Sequence, residues 1–378
     1  MNPISAVTQI DPYPFYASLV QHRPMYFDET LGFWIASSAE AVCGVLNSDL
    51  CSVRPANQRV PPALIGTAMG QIYPHLIRFD DSPQHCPAKG EVTSVLDNLE
   101  SARVSERAAF WAQKLVAESQ RNLGHLNALR FKLPGYVVAD LLGMSPDLSP
   151  WMALWTRDFV RGLTLGATPE ALELGNAAAV SLIASCRETL RFRAPGLLTE
   201  LARAAQHGDE IRVLGHGIGL LMQSFEATAG LIGNALLALG RHPNVLESMF
   251  LEPSLLPELI EEVNRYDPAV QNTRRFVAKD GIVAGQHVKL GDTILVMLAA
   301  ANRDPAANPD PARFDLARAN RKSFSFGEGL HACPGQVLAL LTAQAAVESW
   351  LITDGDLERI VSKVVYQPSV NVRIALFG

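Results

Sequence analysis

Apolar residues along this chain recur at two spacings, and the change from one to the other divides it. Near the N-terminus Phe15, Leu19 and Val20 keep helical spacing after Pro12-Tyr13-Pro14. Met25-Tyr26-Phe27 and Phe33-Trp34-Ile35 instead flank the turn residues Asp28-Glu29-Thr30-Leu31-Gly32, which predicts a β-hairpin. Ser38 is a good N-cap and predicts a helix over Ala39–Leu46. Residues 54–74 are too interrupted by proline for regular structure, and so long a stretch predicts a functional loop that covers a pocket.

From 101 to 239 the spacing is almost wholly helical, with alanine-rich segments at 103–118 and 176–193. Pro134-Gly135 and Gly143-Met144-Ser145-Pro146 are the breaks. Trp151, Trp155 and Phe159 recur every four residues and predict the core stripe of one helix. A further helix over 258–267 stops at Pro268. Strand patterns return at 271–278, Thr293-Ile294-Leu295-Val296 and 370–377, with turns at Gly281, Gly285 and Gly291. The fold class is therefore mainly α with smaller β-sheet regions, expected as one domain over 1–378. Its β-rich part should cover about 24–36 and 270–300 plus the C-terminal strands, and its α-rich part about 84–265 and 333–353.

One helical stretch, 213–239, carries unusual chemistry. Gly215-His216-Gly217-Ile218-Gly219 misses the G-x-G-x-x-G fingerprint and follows no strand, so nucleotide binding is not expected. Further along, Gln223-Ser224-Phe225-Glu226-Ala227-Thr228 interrupts an apolar span. Such groups either satisfy one another or face a ligand and water, because a buried polar group without a partner costs about 1–3 kcal/mol.

Composition narrows the function classes. With 48% hydrophobic and 19% charged residues in 378, the chain can bury a large core, and no apolar run is long enough to cross a bilayer. Met1-Asn2-Pro3-Ile4-Ser5 has neither the basic segment nor the apolar block of a signal peptide, so a cytoplasmic protein without membrane anchor is expected. A net charge of −6 and the lack of any Lys/Arg block argue against nucleic acid and for small-molecule ligands. The five cysteines are scattered, with no C-x-x-C pair.

Cys333 stands out among them, in Phe324-Ser325-Phe326-Gly327-Glu328-Gly329-Leu330-His331-Ala332-Cys333-Pro334-Gly335. Glycines on both sides indicate a bent backbone or a surface pressed against the loop. The following helix places backbone N–H groups where they favour a thiolate. Such a sulfur suits an axial ligand of heme iron, or is a structural cysteine beside a turn.

Phe326, Gly329, Cys333 and Gly335 match F-x-x-G-x-x-x-C-x-G, and with His331 the loop resembles that of soluble bacterial cytochromes P450. Other segments resemble the family in order: Asp81-Ser82-Pro83-Gln84-His85-Cys86-Pro87-Ala88-Lys89, the distal helix, Glu262-x-x-Arg265, Pro311-Ala312-Arg313-Phe314, and Pro368-Ser369 before the last strand. The resemblance implies heme b, bound non-covalently between the long distal helix and the Cys-loop/proximal helix, with Cys333 as the iron ligand. It implies that His85, Lys89 (in place of arginine), Arg275 and His331 bind the propionates, and that Glu262, Arg265 and Arg313 form a buried network.

In the distal helix, usually A-G-x-[DE]-T-T, Gln223-Ser224 replace Ala-Gly, Glu226 keeps the acid, Ala227 replaces the first threonine and Thr228 keeps the second. Gln223 or Ser224 would then hold a water near the reacting oxygen, with Glu226 as proton source, or the substrate would supply the hydroxyl. The implied activity is a monooxygenase acting on a small organic, secondary-metabolite substrate. Electrons would come from a ferredoxin and ferredoxin reductase docking near Arg318, Arg321 and Lys322 on a monomer. Alternatives are a peroxide-using or rearranging heme-thiolate enzyme, and a non-catalytic heme-binding sensor.

Overall fold

Capping side chains start several of the helices. Ser38, Thr67, Thr168 and Asp209 each accept a hydrogen bond from a first-turn N–H, and Pro169, Pro243 and Pro257 occupy first-turn positions where no N–H is needed. The structure is a computed structural model that describes residues 1–55, 58–118, 123–205, 209–352 and 357–378.

The chain begins with α1 (Tyr13–His22), the hairpin β1 (Met25–Asp28) and β2 (Phe33–Ala36), α2 (Ala39–Leu46) and β3 (Cys51–Ser52). A helical series follows: α3 (Ala68–Ile72), α4 (His85–Asp97), α5 (Ser101–Glu118), α6 (Leu123–Leu141), α7 (Ser149–Leu163), α8 (Pro169–Arg191) and α9 (Leu197–Ala204). The long α10 (Glu210–Arg241), α11 (Pro243–Leu251) and α12 (Leu256–Tyr266) complete it. Then come β4 (Thr273–Val277), β5 (Gly281–Val283), β6 (Gln286–Val288), β7 (Thr293–Val296) and α13 (Leu298–Asn302). Last are α14 (Gln336–Leu351), α15 (Leu357–Ser362), β8 (Val364–Tyr366) and β9 (Ala375–Phe377).

Five strands form one sheet in the order β1-β2-β7-β4-β3, antiparallel except where Trp34–Ala36 runs parallel to Ile294–Val296. The hairpin expected around Asp28–Gly32 is thus an edge of this sheet. One large apolar core fills the helical part, and a second lies beneath the sheet against α2. α10 packs against α6, α7, α9, α12 and α14, so its middle turns are the centre of the helical body. Among the described residues no helix is long and apolar enough to cross a membrane.

Three expectations need correction. Pro134 does not break a helix: α6 runs through it, and Gly135 lets α6 approach α7 so closely that a Cβ there would lie 3.1 Å from the Ala153 backbone. Trp151 is not in the core: Phe159 is buried, but Trp151 is exposed and stacks on Trp155, because a strict four-residue spacing kept over about two turns drifts off the face that α7 buries. At 370–377 only Ala375–Phe377 is strand, preceded by a single bridge between Val270 and Val372. The end of the α-rich part expected at 353 lies outside the described residues.

Candidate active site

The Cys333 loop has the backbone that its glycines foretell. Gly327 and Gly329 adopt φ +71° and +67°, the left-handed region that disfavours side chains. At Gly329 a Cβ would also stand 2.6 Å from Asn47 Oδ1, so the loop is pressed onto the end of α2. The Cys333 N–H donates to Phe326 O at 2.8 Å and Ala332 N–H to Gly329 O at 3.0 Å, closing the turn. Gly335 has ordinary φ −94°; its missing Cβ, which would stand 4.0 Å from Cys333 Sγ, leaves the space beside the sulfur clear.

Cys333 is solvent-accessible by area. Yet burial raises its pKa, against the Gly335 N–H, Arg78 and Lys89, which favour the thiolate. A sulfur both accessible and surrounded lies in a recess rather than on an open face. The helix-start amide acts in the expected direction, but burial outweighs it, so a metal ion would have to displace the proton on binding.

Four of the expected cofactor residues gather around this sulfur's loop. His85, at the first turn of α4, is 1% exposed, and neither ring nitrogen has a hydrogen-bond partner. Its ring centroid lies 4.3 Å from that of His331, and burial, then His331, push its pKa down to about 4. His331 Nε2 pairs with Asp81 Oδ1 at 3.2 Å. Lys89 Nζ donates to the carbonyl of Leu330 within the loop. Arg275 is buried while Arg274 beside it is half-buried, as an extended β4 requires. Among the described residues Arg275 donates only to the Arg274 carbonyl, at 3.0 Å.

This donor set fits heme. An orphaned buried imidazole and an arginine without an ion pair suit carboxylates of the porphyrin edge, and a clear-faced sulfur suits iron. Among the described residues no group of three or more His, Cys, Asp or Glu side chains could hold a metal ion by itself, so a single thiolate is the metal ligand available.

On α10, Gln223, Ser224, Glu226 and Ala227 are partly open, whereas Thr228 is 1% exposed with its hydroxyl unpartnered. That division follows from the helix: one residue rotates a side chain by about 100°. Ser224 Oγ donates to Leu221 O at 2.9 Å. Glu226 lies 3.5 Å from Gln367 Nε2 of the segment between β8 and β9, and its pKa is raised by burial against the opposing pull of Gln367 and Arg161. Gln367 and Arg161 carry no sequence pattern that singles them out.

The buried network exists with different members. Glu262 accepts from Arg265 at 2.6 and 2.9 Å, from Arg321 at 3.0 Å, from Arg318 at 3.4 Å and from Asp315 N–H at 3.0 Å. Arg313 is the correction: its side chain is 67% exposed, 3.7 Å from Asp315, and only its carbonyl joins in, accepting from Arg265 and Arg318. Arg318 and Arg321 are correspondingly unavailable for docking, since their guanidiniums are held by Glu262 and by loop carbonyls; Lys322 alone of the three is open, 3.7 Å from Glu328.

The stretch 54–74, expected to be too broken for regular structure, contains α3, which Thr67 caps, and together with His75 it is seated on three helices. Ala68 N–H donates to Asn176 Oδ1 of α8 at 2.7 Å, and Met69 fills space left by Gly162 and Gly175. His75 packs on α10 at Gly215, where a Cβ would stand 2.5 Å from His75 Cβ. Gly215 and Gly219 thus serve packing against this segment and the residues just after it, whereas Gly217 lies against Leu198 of α9.

A family model described as cytochrome P450 matches residues 211–352. A candidate cytochrome P450, 133B2, of Xylella fastidiosa (strain 9a5c) is 30% identical over 275 residues, 70% of this chain and 69% of the relative. Cytochrome P450 monooxygenase PikC of Streptomyces venezuelae is 29% identical over 96% of this chain and 89% of its own length. Among solved structures, that of CalO2 superposes with a TM-score of 0.85 at 26% identity, covering 100% of this chain and 98% of the other.

Proposed function

The chain belongs to the cytochrome P450 family and is a heme-thiolate monooxygenase, and on that footing we propose that it oxidises a small organic substrate of secondary metabolism with electrons from a ferredoxin and its reductase. The observation that carries the site assignment is the recessed Cys333 sulfur in its glycine-bent loop, with His85 orphaned and Arg275 without an ion pair among the described residues. Heme bound there supplies reductive activation of dioxygen and transfer of one oxygen atom to the substrate.

The chain's own residues do the rest. Cys333 Sγ, which receives the Gly335 N–H, would ligate the iron. His85, Lys89, Arg275 and His331 would hold the propionate edge, with the Glu262–Arg265 network behind the loop. Ser224 spends its proton on Leu221 O, so its oxygen is left as an acceptor for a water. Glu226, whose carboxyl is pushed up by burial, can hold a proton nearer neutrality than an exposed glutamate and pass it to that water. With Arg318 and Arg321 committed internally, Lys322 and the exposed Leu330 and Val337 offer the docking face for the redox partner.

The test is spectral. The reduced protein with carbon monoxide should show the red-shifted Soret band of thiolate ligation, and a histidine-type spectrum overturns the assignment of Cys333. Screening a metabolite library for the heme spin shift then identifies the substrate. A second reading, turnover with peroxide, is favoured by Ala227; it predicts product formation with peroxide at rates that reductase and ferredoxin do not exceed.

A further inference from the structure

Arg130 of α6 is fully buried, and no sequence pattern marks it. Its guanidinium is enclosed where α6, α10 and β9 meet. Nη2 donates to Ala375 O of β9 at 2.6 Å and to Asn127 Oδ1, one turn back on α6, at 2.7 Å. Nη1 donates to Ala229 O of α10 at 3.3 Å. The guanidinium carbon lies 4.7 Å from the centroid of the Phe377 ring. Gly233 makes the approach to α10 possible, since a Cβ there would overlap Nη1.

Among the described residues no carboxylate pairs with Arg130, and its Nε has no hydrogen-bond partner. A buried charge met only by neutral oxygens is costly, and an apolar side chain of similar length would fill the space without that cost. Burial brings the Arg130 pKa down to about 9, which still leaves the group charged at neutral pH. Fastening the C-terminal strand to α6 does not require it, because Asn127 already donates to Phe377 O at 2.7 Å and accepts from Phe377 N–H at 3.2 Å. What the guanidinium adds is a link between β9 and α10.

Both ends of that link are close to one pair of side chains. Ala229 is less than one turn beyond Glu226 on α10. Ala375 is the cross-strand partner of Tyr366, and Gln367, the next residue, donates its N–H to Ile374 O at 2.9 Å. Gln367 Nε2 meets Glu226 Oε1 at 3.5 Å, the outer limit of a hydrogen bond, so a small displacement of β9 from α10 breaks it. Phe131, beside Arg130, packs on Phe225, beside Glu226, with ring centroids 5.5 Å apart. We propose that Arg130 is a positioning residue of the distal site, a buried strut that sets the segment carrying Gln367 against Glu226. The inference rests on the reading of Glu226 as the proton source.

The experiment follows the Glu226 carboxyl itself, by infrared titration of the holoproteins, with Glu226→Gln identifying its band. Arg130→Met removes the charge at similar volume, Arg130→Lys keeps the charge without the planar fork, and Gly233→Ala displaces the guanidinium from the α10 side without removing it. Folding is checked by circular dichroism and the heme site by the carbon monoxide spectrum. The Gln367 amide favours the carboxylate that burial opposes, so losing it raises the Glu226 pKa. The rise in Arg130→Met and Gly233→Ala should be about 0.4–1 unit, the size of one net hydrogen bond, and product per reducing equivalent should fall with it. Arg130→Lys should lie between these variants and wild type.

If Glu226 titrates as in wild type in the folded variants, whatever their stability, Arg130 is only a brace of the fold and the proposal is overturned. Should Arg130→Met fail to fold, Arg130→Lys and Gly233→Ala decide by the same titration. Failure of the Glu226 reading looks different: Glu226→Gln would then couple like wild type, while the titration shift in the other variants would still report the strut.

Discussion

Arg321 Nε donates to Glu262 Oε2 at 3.0 Å, so an arginine just ahead of the Cys333 loop, rather than Arg313, closes the buried network with α12. Removing the shared carboxylate strands Arg265, Arg318 and Arg321 together. Glu262→Ala should destabilise by about 3–5 kcal/mol or fail to retain heme, and Arg321→Ala should also be clearly destabilised. Arg313→Ala keeps the backbone carbonyl and should stay within about 0.5 kcal/mol of wild type. Denaturant melts with heme content measure this; equal losses in Arg313→Ala and Arg321→Ala would contradict the assignment.

The same carboxylate sets an acid limit. Burial alone would raise the Glu262 pKa, but the hydrogen bond and charge of Arg265, the Asp315 N–H and the charge of Arg318 bring it below the ordinary value. A depressed folded-state pKa stabilises above the unfolded value, about 4.3 for glutamate, and that contribution is lost as pH falls through the folded value. The stability difference between wild type and Glu262→Gln should therefore shrink as pH is lowered from about 5 towards 3. A difference constant over that range would show that the carboxyl is not ionised in the network.

What could be read before the fold was known is what local chemistry dictates. The left-handed glycines at 327 and 329, and the opposite orientations of Arg274 and Arg275, follow from backbone rules that need no tertiary context. Which arginine reaches Glu262 does not. The chain from 303 to 325 is irregular and turns at Asp310 and Asn320 with φ +47° and +53°, so spacing alone does not say whether Arg313, Arg318 or Arg321 ends up inside. Pro134 misled because its local penalty is overridden by the packing of α6 against α7 and α10.

The seat of the covering segment gives a third expectation. An alanine at Gly215 would improve the helix propensity of α10, but its Cβ would stand 2.5 Å from His75 Cβ and 2.9 Å from His75 O, neither of which is the tip of a flexible side chain. The segment over 68–79 must then lift while α10 stays intact. Gly215→Ala should show faster hydrogen exchange at 68–79 and weaker substrate spin shifts, with exchange in α6 and α14 unchanged. Wild-type exchange at 68–79 would mean that this contact does not hold the segment down.

In the distal-helix correspondence read from the sequence, proton supply is where this chain departs from the family pattern. Ala227 has no hydroxyl, and Thr228, one step along the helix, is rotated by about 100° into the interior, where it is 1% exposed. Gln223 and Ser224 lie at i−4 and i−3 from Ala227 and share its partly open face. The hydrogen bond from Ser224 to Leu221 O leaves the serine oxygen free to accept from a water, and the Gln223 amide can donate to the same water. Glu226, tied to Gln367, is the acid that would recharge it. If this account holds, Gln223→Ala and Ser224→Ala each release more peroxide and form less product per reducing equivalent, and the double mutant is the least coupled. Gln367→Leu should act in the same direction by loosening Glu226, whereas Ala227→Thr should raise coupling by restoring a hydroxyl on the open face. Coupling is measured as product and peroxide per reducing equivalent with the substrate that gives the spin shift. If all the side-chain deletions couple like wild type, the proton does not travel through a water held by these residues, and a hydroxyl of the substrate or turnover with peroxide becomes the route to test.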